Sequence, residues 1–65
     1  MKVLSIKTLS NMGDMEIRRY VISLEKELKK RDWYKKNENG TLNEKEQEAF
    51  NRIMDLFRWV RINAD

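Results

Sequence analysis

Neither cysteine nor histidine occurs in this 65-residue chain. Without cysteine there is no disulfide or thiolate ligand set, and without histidine the ordinary zinc sites go too, so neither a covalent staple nor a structural metal can reinforce the fold. The same two absences remove the commonest general base and the most reactive nucleophile. The remaining carboxylates, Lys, Tyr, Ser and Thr form no recognisable acid/base or nucleophile arrangement, and there is no glycine-rich phosphate loop. Proline is also absent and glycine occurs only twice, so little interrupts a helix. No apolar run approaches the roughly 18 residues of a membrane span, and Met1-Lys2-Val3-Leu4-Ser5-Ile6-Lys7 has too short an apolar stretch for a secretory signal. The expectation is a soluble, cytoplasmic, non-enzymatic protein with no cofactor, no metal and no membrane association.

What is present is patterned. Charged residues make up 38% of the chain and hydrophobic residues 40%, and the apolar positions recur with helical spacing, which argues against disorder. Ile17, Tyr20, Val21, Leu24 and Leu28 fall three and four apart, on one face at about 100° per residue. Ala49, Phe50, Ile53, Met54, Leu56, Phe57 and Val60 line a second, broader face. Asp14 can cap the first helix or sit as an acid in its first turn. The second helix has two candidate caps: Thr41 with Glu44, which has the Ser/Thr-x-x-Glu form of a capping box, and Asn43 with Glu46.

The fold expected from this pattern is mostly α: an antiparallel helical hairpin with an arm over 1–12, a helix over 14–34, a turn over 35–42 and a helix over 43–62. In the arm Leu4 and Ile6 alternate with Ser5 and Lys7 as in a strand, until the alternation slips at Thr8-Leu9. One domain of this size only just outweighs its chain entropy, so association of two copies into a helical bundle is expected to reinforce it.

Charge is unevenly placed. Residues Met1 to Lys36 carry ten Lys/Arg against five Asp/Glu, and Asn37 to Asp65 carry four against six. Folding the halves together offsets part of this, so nucleic acid is permitted as a partner but not demanded. The run Lys26, Lys29, Lys30, Arg31, Lys35, Lys36 around Trp33 and Tyr34 sits at a helix C-terminus, where cations complement the macrodipole, and Glu25–Lys29 and Glu27–Arg31 have the favoured i,i+4 order. Arg18 and Arg19, early in their helix, are expected to meet Arg58, Trp59 and Arg61 in a basic and aromatic pole. Met15, Ile22 and Trp33 project from the back of the first helix, and Trp59 and Ile62 from the back of the second. This surplus points to a second buried surface, either an interface with another copy or another protein or packing by the N-terminal arm. The expected partner-binding residues are Arg18, Arg19, Ile22, Trp33, Tyr34, Arg58, Trp59 and Arg61, the aromatics acting as anchors within a rim of charge. The function expected is that of a small regulatory module acting by protein–protein association.

Two resemblances bear on alternatives. Lys35 to Glu46 resembles an EF-hand calcium loop in outline, with Asn37, Asn39, Gly40 and Glu46 at matching places, but its first place holds Lys35, where the ion needs an anionic oxygen. The order of Lys2-Val3-Leu4-Ser5-Ile6-Lys7 and two helices is similar to that of the ribbon-helix-helix repressors, whose dimers insert a two-stranded ribbon into the major groove. That resemblance implies a dimeric DNA-binding regulator with Val3, Ser5 and Lys7 facing the bases. The chain departs from it in a longer turn and a longer first helix.

Overall fold

The computed structural model describes residues 2–63, which form four helices and no strand: α1 (Ile6–Ser10), α2 (Asp14–Arg31), α3 (Trp33–Glu38) and α4 (Glu44–Asn63). The helical class agrees with the sequence pattern. The element boundaries do not all agree, and each difference has a local cause.

The arm is not a strand. Ser5 ends the extended segment and caps α1, its Oγ accepting from the Thr8 amide at 3.2 Å, while the Leu9 amide donates to the Ser5 carbonyl at 3.1 Å. A five-residue helix is not stable by itself. Leu9 supplies the reason it forms, since it is fully buried in the core and such burial contributes about 1.5–3 kcal/mol. Val3 and Met12 pack against the same core, and the Leu4 amide donates to Tyr20 Oη at 2.9 Å. The slip at Thr8-Leu9 was therefore the mark of a helical turn, and no ribbon forms from Val3, Ser5 and Lys7.

The helix expected over 14–34 ends at Arg31. Asp32 adopts φ 58°, the left-handed region, which breaks the ladder and starts α3. Aspartate tolerates this conformation better than most residues because its short side chain can bond locally. Residues 35–38, expected in the turn, are thus helical. Two residues past the end of α3 stands Gly40, φ 70°, where the Thr41 amide donates to the Lys36 carbonyl at 2.8 Å and the Gly40 amide to the Asn37 carbonyl at 3.2 Å. These two bonds make a Schellman motif. α4 is then capped by Asn43 rather than Thr41: the Glu46 amide donates to Asn43 Oδ1 at 2.8 Å and the Asn43 amide to Glu46 Oε1 at 3.1 Å, a reciprocal capping box. At the other end of the long pair, Gly13 precedes α2 without a side-chain cap, and Asp14 and Glu16 are acids of its first turn.

The core comprises Leu9, Ile17, Leu24, Leu28, Trp33, Phe50, Ile53 and Leu56. Six of these lie on the two predicted helical faces. Leu9 and Trp33 do not, and they bring α1 and α3 into the same cluster.

Candidate functional site

Once α2 has turned Ile17, Leu24 and Leu28 inward, helical periodicity dictates what its opposite side carries. Met15 and Ile22, seven residues apart, run along the middle of that side and stay 69% and 54% exposed. Arg18 and Lys29 flank them on one side, Arg19, Lys26 and Lys30 on the other, and all five are exposed. No carboxylate falls within this arc, since Glu25 lies at its margin and Glu16 and Glu27 lie further round. Among the described residues the ion pair within 4 Å is Arg31 with Glu27, at 3.1 Å, so none of the five arc cations has a described carboxylate at that distance. This face couples a small apolar strip to a dense positive field.

The expected site residues divide. Arg18, Arg19 and Ile22 belong to this face. Arg58 and Arg61 are exposed on α4. Trp59 is partly covered, packing against the core and lining a cleft with Leu9, Met12, Asp14 and Ile17, so the C-terminal turns of α4 do lie beside the start of α2. Tyr34 remains 43% exposed, with its ring edge-on to Phe50 at a centroid distance of 5.9 Å. Partial burial, and secondarily the charge of Glu25, raise its phenol above the ordinary pKa of 10.0.

Trp33 is the correction. It is 2% exposed and forms part of the core, with the Arg31 guanidinium 5.7 Å from its ring centroid. The break at Asp32 shifts the helical phase, so an angular count carried through from α2 puts Trp33 on the wrong side. It cannot serve as an exposed anchor.

The calcium-loop outline also dissolves into local structure. Asn37 Oδ1 accepts from Gln47 Nε2 at 2.9 Å, Glu46 is committed to the cap of α4, and no group of three metal-ligating side chains occurs among the described residues. Among the described residues no helix is long and apolar enough to cross a membrane.

Sequence reading missed two features. Lys26, Lys29 and Lys30 join Arg18 and Arg19 in one field on α2, a grouping that the helical period alone could have found. A half-open cleft of about 390 Å³ also lies between Val3, Leu4, Ser5 and Ile6 and the α4 residues Arg52, Asp55 and Leu56, and only the folding back of the N-terminal segment creates it. No protein-family model matches the chain, and no curated protein or solved structure matches it.

Proposed function

We propose that this protein is a non-enzymatic association module, built on an antiparallel pair of long helices, which acts by docking the outer face of α2 on an acidic protein surface. A cytoplasmic setting is part of this reading. The observation that carries it is the pairing of exposed Met15 and Ile22 with five cations that have no carboxylate among them. Desolvating two apolar side chains supplies a contact core, and the surrounding positive field supplies orientation and a faster encounter with a negative partner. Arg58, Arg61 and the exposed edge of Trp59 extend the charge and apolar area at the end of the molecule where α4 meets the start of α2. A face with only two apolar residues is too small for stable insertion at a lipid interface. An isologous pairing of two α2 faces would set cations against cations, so a dimer of that kind is disfavoured.

The second reading, a basic DNA-binding regulator, rests on the same five cations, which span about 18 Å along the helix at 1.5 Å per residue and can meet phosphates. It no longer has a strand ribbon to read bases.

The separating experiment titrates the protein with a glutamate-rich helical peptide and, in parallel, with a mixed-sequence duplex across a salt series. The protein-binding reading expects peptide binding that R18E/K29E abolishes, with weak duplex affinity. The nucleic-acid reading expects duplex affinity falling with a log–log salt slope of roughly −0.9 per phosphate contact. If neither probe binds, the α2 face is a solvated surface.

A further inference from the structure

The outer side of α4 carries a row of carboxylates that answers a row of cations on the outer side of α2. With Ile53 and Leu56 turned into the core, the opposite arc of α4 holds Glu44, Glu48 and Asp55, all exposed, and ends in Ile62, 70% exposed. The intervals match. Along α2 the cations Arg19, Lys26 and Lys30 are separated by seven and then four residues, and along α4 read backwards Asp55, Glu48 and Glu44 are separated by seven and then four. On both helices the three charges lie within about 20° of one meridian at 100° per residue. They therefore form straight rows of the same pitch, with steps of about 10.5 and 6 Å.

From this complementarity we infer that the occupant of the α2 face is the α4 outer face of a second copy of this chain, laid antiparallel so that Arg19 meets Asp55, Lys26 meets Glu48 and Lys30 meets Glu44. The inference rests on the reading of α2 as an acid-seeking face and names its partner. The same register puts Ser23 opposite Asn51, both polar and exposed. It brings Ile62 within one helical turn of Met15, so the two most exposed apolar side chains of the long helices meet. Two exposed cations, Arg52 and Arg58, flank the acidic row about 60° to either side, and Arg58 falls on the side of Met15 and Arg18, so it subtracts from the attraction at that end. A parallel arrangement with Glu44 beside Met15 keeps two of the pairs, Arg19 with Glu48 and Lys26 with Asp55, but leaves Lys30 opposite Trp59, so only the antiparallel register matches all three.

Each copy offers one basic and one acidic face, which point away from the shared core in different directions. The contact is heterologous, and it adds copies head to tail. One helix laid on one helix makes a small interface, so the assembly is transient and sensitive to salt.

Sedimentation equilibrium of the full chain tests this, run from about 10 µM to about 1 mM at about 20 mM and 500 mM salt, where screening lengths differ several-fold. The weight-average mass should rise with concentration at low salt and return to that of one chain at high salt. R19E/K26E and E48K/D55K should each remain monomeric alone, and an equimolar mixture of the two should regain association, because the reversed faces complement each other. All four positions are exposed, and far-UV circular dichroism checks that both variants fold. A wild-type chain that is monomeric throughout, or association that survives in either single variant, overturns the inference. The glutamate-rich peptide separates this failure from that of the broader reading: a monomeric protein that still binds the peptide through α2 loses only the self-partner, whereas one that binds neither loses both.

Discussion

Trp33 shows how far one backbone angle reaches. Its neighbour Asp32 is the described non-glycine residue with a positive φ, and that turn rotates the indole from the outer side of a continuous helix into the core, where it is 2% exposed. Truncating a buried Trp costs about 3–5 kcal/mol. A domain of this size rarely has more than about 3–5 kcal/mol in total, so Trp33→Ala should leave the chain largely unfolded at 25 °C. Far-UV circular dichroism checks this, and Trp33→Phe should stay folded with a lowered denaturation midpoint. A Trp33→Ala variant that still melts cooperatively near the wild-type temperature would show that the indole is peripheral. Tyr34 gives a weaker, pH-dependent effect. Its phenol pKa is raised in the folded chain by partial burial first and Glu25 second, so the folded state holds that proton more tightly than the unfolded one. The resulting stabilisation is present below the ordinary phenol pKa and is lost as pH rises through the folded value. Urea titrations above about pH 10 should show a smaller fall in stability for Tyr34→Phe than for the wild type.

At the scale of elements, the two ends of the α3–α4 connection are built from different local devices. Gly40 can hold φ 70° without a Cβ penalty, and an added Cβ would meet no atom within 4 Å, so Gly40→Ala tests backbone conformation alone. It should cost about 1 kcal/mol. The cap of α4 offers a sharper contrast. Asn43→Ala removes the side-chain acceptor of the reciprocal box and should cost about 1 kcal/mol, equivalent to roughly 4–8 °C in melting temperature for a domain this small. Thr41→Ala should change stability by less than about 0.5 kcal/mol, because Thr41 Oγ1 makes only an exposed bond to the Lys36 carbonyl. Equal losses at both positions would return the cap to Thr41. Both candidate caps were visible in the sequence, and the choice between them was not, because the Schellman motif at Gly40 sets where α4 can begin.

The whole molecule is a rod more than a sphere. Its extents are 34 × 19 × 19 Å and its radius of gyration is 12.1 Å, against about 10.7 Å for a compact chain of this length. The twenty residues of α4, at about 30 Å, account for most of the long axis. That shape gives the two long helices outer faces with little to cover them, and the charge separation between the halves of the chain becomes a separation between two sides of one particle. X-ray scattering at about 0.5 M salt, where these faces are screened, should return a radius of gyration near the value of the single chain. Under the same conditions Trp33→Ala should expand toward the roughly 25 Å of an unfolded chain.

Local physics wrote much of this protein directly into its residues. The 3.6-residue period identified six of the eight core side chains, the lack of proline and scarcity of glycine permitted long helices, and the absence of cysteine and histidine left packing as the stabilising force. These properties depend on neighbours within a turn or two, so they can be read in order along the chain. Tertiary structure decided the rest: that Ser5 to Ser10 closes into a helical turn because Leu9 has a core to enter, that the helical phase restarts after Asp32, and that Trp33 lies inside while Met15, Ile22 and Ile62 stay out. Those outcomes turn on which surfaces meet across the fold. A short segment can satisfy its own backbone in more than one way, and only long-range burial chooses between them.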